Sequence, residues 1–329
     1  MKLFIISTPS QAFFLSQTLE VTSNSVLILT VKSKKEANKI LYYLEGLHWK
    51  EINIWLVPYA DDKVVYYKLF LLRIRIITLK FKFPTFSKIY FGSYANIIHL
   101  SVIAAYEPKT KLILLYDGLQ MVSVNHFRNR LSTENNKKFP RAYKLLGFKE
   151  PKIKKLTYSS PLKLIAEGED KIEIIKRRIN PKRQIIDEDI IYFIGQPLPE
   201  IGVISSEYYI ATLKKLKYTY SKKIIYFPHP REGDNLIREI SKIFEIKIPE
   251  TIFEEYFLNL QTIPCEVISF YSSVLVNLVF LNAPSKITSV GIPENEIRGA
   301  RFIRITSTTY EYFNQISNGD FQVINPKNL

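Results

Sequence analysis

The chain has 329 residues, enough for two domains of about 150 and too many for one ordinary core. At 47% hydrophobic and 23% charged it is not a disordered chain, and its one cysteine, Cys265, excludes an intrachain disulfide and fits a reducing compartment. Lys and Arg total 46 against 31 Asp and Glu, a net +15 that attracts phosphate, whether in nucleic acid, anionic lipid or a nucleotide-linked substrate.

The first apolar run, LFII (3–6), breaks at STPSQ where a signal core would continue, so it reads as a strand, a loop and a helix start. No stretch approaches the roughly 20 apolar residues of a membrane span, and the expected location is cytoplasmic. Residues 26–31, 52–57, 88–91 and 111–116 read as further strands, with helical spacing between them, as in SKKEANKILYYLEGL (33–47). Strand–helix alternation of this kind predicts a parallel sheet covered on both faces. The stretch DKVVYYKLFLLRIRIITLKFKF (62–83) has no acid after Asp62. As a helix it is basic and amphipathic and suits the inner face of an anionic membrane; as buried structure its cations would snorkel. The alternation in RIRIITLKFKF favours strand at its end.

From about 135 to 187 the chain is rich in Lys and Pro, as in NNKKFPRAYKLLGFKEPKIKK and KRRINPKR, and reads as an irregular excursion and a linker. Asp187-Glu188-Asp189 has the form of an Asp-x-Asp metal site, but it precedes IIYFIG and so falls at the edge away from a cleft; it reads as a solvated linker turn. Alternation restarts with strands at 190–195, 223–227, 243–248, 266–270 and 286–290. The expectation is an α/β fold of the GT-B kind: two Rossmann-like domains facing a central cleft, at 1–155 (acceptor side) and 189–329 (nucleotide-sugar side), with a linker at 156–188.

Three strand ends stand out. In YFPHPRE (226–232) two prolines stiffen the backbone around His229, which suits a group that meets developing charge without reorganising. In LLYDGLQ (114–120), Asp117 ends a strand and Gly118 lets the chain turn tightly beside a ligand. In FYSSVLVNL (270–278), Ser272 and Ser273 precede an apolar helix, where hydroxyls and free amides can hold phosphate or simply cap the helix. Of the other histidines, His48 and His99 read as structural, and His126 as either a surface group or part of an acceptor site. There is no Gly-x-x-x-x-Gly-Lys loop and no Cys/His cluster suited to zinc.

Taken in order, Asp-Gly, His-Pro and Ser-Ser, with FIGQP (193–197), resemble the bacterial lipooligosaccharide and capsule sialyltransferases and their polysialyltransferase relatives. The resemblance spans Asp117 to Asn277. It departs where the family has two acids before the glycine, since Tyr116 stands in place of the first. It implies inverting, metal-independent transfer of sialic acid from CMP-sialic acid to a galactose-type hydroxyl of a surface glycan. Asp117 would be the base, with Glu207 of ISSEYYI as the alternative, and His229 would stabilise or protonate the departing phosphate. Ser272 and Ser273 would hold that phosphate, Gly118 and Pro230 would border the donor, and Glu250 or Glu254 would bind cytidine or its ribose, although acids there also suit a helix N-terminus. The implied partners are a CMP-sugar donor, a glycan or glycolipid acceptor, an anionic membrane surface and a second copy in a homodimer, with no nucleic acid and no cofactor. The competing readings are a GT-B transferase using another activated sugar, and a non-catalytic basic protein binding RNA or membrane.

Overall fold

The computed structural model describes residues 1–19, 21–58, 65–106, 110–127, 140–176 and 183–328. Asp62, NNKKF (135–139) and most of KRRINPKR, singled out above, lie outside them. The chain divides into two compact units, Met1–Ile179 and Asn180–Leu329.

The first unit runs β1 (Lys2–Ile6), α1 (Pro9–Thr18), β2 (Ser25–Val31), α2 (Lys34–Tyr43), β3 (Glu51–Leu56), α3 (Val65–Lys82), β4 (Lys88–Phe91), α4 (Ile97–Tyr106), β5 (Lys111–Leu114), α5 (Gln120–Phe127), α6 (Arg141–Leu145), β6 (Thr157–Ser160) and β7 (Lys171–Ile174). Its seven strands pair in the order β3-β2-β1-β4-β5-β6-β7, all parallel. Every residue of β2 is buried, as a strand covered on both faces requires. Phe4, Ile6, Leu27, Leu29, Ile40 and Ile113 pack one core face of the sheet. Strand order reverses direction between β1 and β4, and ligands of open α/β sheets bind at the carboxyl ends beside such a point.

The second unit runs β8 (Ile185–Ile194), α7 (Ser206–Thr219), β9 (Lys223–Phe227), α8 (Asp234–Ser241), β10 (Glu245–Ile246), α9 (Phe253–Asn259), β11 (Thr262–Ser269), α10 (Ser273–Phe280), β12 (Lys286–Val290), α11 (Ala300–Ile316) and β13 (Phe321–Ile324). Its order, β10-β9-β8-β11-β12-β13, is the dinucleotide-fold pattern 3-2-1-4-5-6, again all parallel. The switch point here lies between β8 and β11. Phe193, Tyr209, Tyr226 and Phe270 are fully buried in its core.

Four expectations are corrected. Much of the 156–188 linker belongs to the first unit, where β6 and β7 extend the sheet. Asp187-Glu188-Asp189 is no turn but lies within β8, whose first half pairs with Thr262–Pro264 ahead of a register shift. The strand expected at 243–248 shrinks to two residues. The stretch from Val65 to Lys82 is helical throughout, because its buried residues, Leu69, Leu72, Ile76 and Leu79, repeat at three and four.

Candidate functional site

In the first unit the carboxyl edge is organised by Gln11. Thr8 caps α1 by accepting from the Gln11 N–H, and Pro9 at the first helical position suits the turn. This places the fully buried Gln11 side chain beside the ends of β1 and β4. Its Oε1 accepts from the Ser7 N–H at 2.8 Å, and its Nε2 donates to the Gly92 carbonyl at 2.9 Å. The same side chain lies close enough to the Asp117 carboxyl to stabilise its ionised form. A Cβ on Gly92 would run into the Gln11 amide, so any larger residue there must push that amide aside.

Asp117 follows β5 and keeps part of its surface accessible. Burial lifts its pKa to about 6, with Gln11 pulling the other way. Gly118 turns the chain into α5 with φ 60, in the left-handed region that favours glycine. Tyr116 is buried edge-on against Phe14, 4.9 Å between centroids, so the position before Asp117 belongs to the core. On α4, His99 is fully buried: its Nδ1 accepts from the Ser93 N–H, leaving Nε2–H to donate to Thr30 Oγ1 at 2.8 Å. Burial drives its pKa to about 3, so it is a neutral structural group. His48 is exposed, and His126 lies on α5.

In the second unit the carboxyl edge holds the His229 turn. The His229 Nδ1 accepts from the Arg231 N–H at 3.0 Å, so in the neutral ring the proton sits on Nε2. Burial, with Arg231 adding to it, lowers the pKa to about 4. Beneath it lies Glu232, buried and at the hub of a polar network. Its Oε1 accepts from Tyr226 Oη at 2.9 Å and Tyr209 Oη at 3.3 Å, while Oε2 accepts from the His229 N–H at 3.3 Å. The Glu232 N–H donates back to the His229 carbonyl, closing the turn. Burial raises the Glu232 carboxyl to about 7. A side chain on Gly195 would collide with Tyr226 Oη and Glu232 Oε1, so FIGQP needs its glycine to admit this network.

Across the switch point, Ser269 Oγ donates to the Ile194 carbonyl at 2.7 Å, tying β11 to β8. Ser272 caps α10, its Oγ accepting from the Val274 N–H at 3.2 Å, and Ser273 begins the helix. Ser272 thereby takes the Val274 N–H on its hydroxyl and the Leu275 N–H on its carbonyl, and the positive end of α10 stands at the sheet's carboxyl edge, where its dipole favours an anion. Pro230 is exposed beside His229.

The remaining acids divide sharply. Glu254 is buried on α9 and accepts from Asn277 Nδ2 at 2.5 Å, joining α9 to α10; burial raises its pKa. Glu250 is exposed ahead of α9. Glu207 is exposed in the first turn of α7, and a hydrogen bond from its own N–H, then one from Ser205, lowers its pKa. That is the setting of a helix-terminal charge, not of a tuned base. Among the described residues no group of three His, Cys, Asp or Glu could hold a metal ion.

Sequence reasoning missed Gln11, Glu232 and the Tyr209–Tyr226 pair. Glu232 stands inside YFPHPRE, and a carboxylate one turn from a histidine at a strand end was the available signal.

No protein-family model matches the chain, and no curated protein does. Solved structures do. UDP-GlcNAc 2-epimerase of Methanocaldococcus jannaschii, in complex with UDP-GlcNAc and UDP, superposes with TM-score 0.57 at 14% identity over 99% of this chain and 89% of that one. UDP-GlcNAc 2-epimerase of Neisseria meningitidis, bound to UDP-GlcNAc, gives 0.54 at 10% identity over 96% and 91%. TcCGT1 in complex with UDP gives 0.52 at 9% identity over 99% and 86%. With two parallel-sheet Rossmann-like units, the chain has the GT-B fold.

Proposed function

We propose that the protein is a glycosyltransferase that moves a sugar from a nucleotide-linked donor to a hydroxyl of a glycan or glycolipid. The observation that carries this is the strand-end turn of the second unit, where His229 is held in one tautomer beside the switch point of a 3-2-1-4-5-6 sheet. The similar structures hold UDP or UDP-GlcNAc, which favours a UDP-linked hexose or N-acetylhexosamine as donor.

In the reaction, an acceptor oxygen attacks the anomeric carbon, and the bond from that carbon to the phosphate oxygen breaks. Asp117 takes the acceptor proton; with a pKa of about 6 it is largely ionised at pH 7 yet basic enough to receive it. The departing phosphate keeps the bonding electrons. His229, neutral at pH 7, serves it as an Nε2–H hydrogen-bond donor, not as an acid. The amides of α10 and the Arg231 guanidinium add positive potential. One displacement of this kind inverts the anomeric centre.

A second reading, sialic acid from CMP-sialic acid, is favoured by one feature: Asp117-Gly118, His229-Pro230 and Ser272-Ser273 all fall at carboxyl ends of strands, in the order the sialyltransferase resemblance requires. Nucleotide release from UDP-GlcNAc, UDP-glucose and CMP-N-acetylneuraminic acid, with and without saccharide acceptors, separates the two. Acceptor-dependent UDP release is the expected result. Release of CMP alone moves the assignment to the second reading. Absence of binding by any nucleotide contradicts both.

A further inference from the structure

Helix α3 faces two ways. Leu69, Leu72, Ile76 and Leu79 bury one side. At about 100° per residue, Tyr66, Tyr67, Phe70, Ile74, Ile77 and Phe81 fall in one arc about 100° wide on the opposite side. All six are exposed, Phe81 to 89%. Cations border this arc on both flanks: Arg73 and Lys80 on one, Lys68, Arg75 and Lys82 on the other. The helix itself carries no acid. Arg75 donates to the Ile54 carbonyl at 2.8 Å, Lys80 to the Pro84 carbonyl at 2.7 Å, and Lys82 pairs with Glu51. These bonds set the cations along the border without burying them; Lys82 stays 57% exposed.

Beside the apolar arc a groove of about 650 Å³ runs between α3 and α4. Ile77, Phe81 and Ala104 line it, and Arg73, Lys80 and Lys149 stand at its sides. Water solvates such a surface poorly, and a folded monomer seldom leaves this much aromatic and aliphatic side chain together on the outside of one helix.

We infer that α3 is a membrane-docking element that lies in the headgroup region of an anionic phospholipid leaflet, with its aromatic arc among the acyl chains and its flanking cations on lipid phosphates. The charge pattern selects this occupant. Cations bordering an apolar stripe on both sides match a plane of phosphates overlying hydrocarbon, and a net charge of +15 adds long-range attraction to an anionic leaflet. A second copy of the chain would bring the same cations face to face and repel. No helix among the described residues is long and apolar enough to cross a membrane, so the contact is interfacial.

The test is co-sedimentation of the full chain with vesicles of phosphatidylcholine alone and of phosphatidylcholine mixed with phosphatidylglycerol, at low and high salt. Binding is expected to the mixed vesicles only and to weaken with salt. Phe70→Gln with Phe81→Gln should cut it by about tenfold or more, and Arg73→Gln with Lys149→Gln by a similar factor. Phe70, Phe81 and Lys149 are exposed and Arg73 is half-buried, and an unchanged thermal midpoint shows the variants folded. Wild-type protein that ignores the mixed vesicles, or a folded Phe70→Gln/Phe81→Gln variant that binds them as wild type does, overturns the inference. So does a lipid-free dimer that this variant abolishes, which would make the face an interface between copies.

Discussion

Glu232 holds its proton up to about pH 7 because burial outweighs the hydrogen bonds from Tyr226 and Tyr209. Its folded pKa lies above the ordinary 4.5, so the folded state binds more protons between pH 4.5 and 7, and this group's contribution to stability falls as pH rises through that window. Glu232→Gln removes the dependence. The stability difference between variant and wild type should therefore move in the variant's favour between about pH 5 and pH 8, by roughly 3 kcal/mol at most; a difference that stays constant in thermal unfolding across that range contradicts the assignment. His229 has the opposite sign. Its pKa falls from 6.5 to about 4, so the folded state binds fewer protons between those values and stability is lost as pH drops from 6.5 toward 4. In catalysis, Asp117→Asn should reduce kcat/KM by about two to four orders of magnitude with an unchanged fold. The wild-type pH–rate profile should show an acid limb near 6, and a profile flat from pH 5 to 8 would remove Asp117 as the base.

At the scale of elements, two glycines are requirements of the polar networks. Gly92→Ala must displace Gln11, which ties Ser7 to Gly92 and favours the ionised form of Asp117, and Gly195→Ala must displace Tyr226 or Glu232. Each should destabilise by about 1–3 kcal/mol, read as a lowered unfolding midpoint, and Gly92→Ala should also shift the acid limb assigned to Asp117. An alanine variant with an unchanged midpoint would show that the network yields. The strands that frame both sites were legible because they are short, mostly apolar and separated by stretches of helical spacing, as in VLILTV and KIIYF. The end of α3 was misread for a physical reason: its outward face is as apolar as its inward one, so RIRIITLKFKF alternates like a strand although its burial follows 3.6 residues per turn. Polar β6, TYSS, and the lysine-led β7 carry no hydrophobic run, and only pairing beside β5 makes them strands. Asp117, His229 and Ser272 were visible as strand-end letters. Gln11 and Glu232 were not, because their importance lies in partners 81 residues away for Gln11 and in two buried tyrosines for Glu232.

At the scale of the whole molecule, two parallel sheets each present a carboxyl edge beside a switch point, and burial raises the pKa of Asp117 in the first unit and of Glu232 and Glu254 in the second. The second unit also has the capped α10 after β11 and the fixed imidazole after β9, the two groups that the proposal assigns to a nucleotide's phosphate. The glycosyltransferase proposal therefore assigns the nucleotide to the second unit. Hydrogen–deuterium exchange of the full chain with and without UDP, UDP-GlcNAc and CMP tests this most directly. The account predicts that at least one of these ligands slows exchange in the segments 194–197, 228–233 and 270–276, at the carboxyl edge of the second sheet, and that His229→Ala weakens the protection. Protection confined to other surfaces, or none with any of the three at saturating concentration, would contradict it.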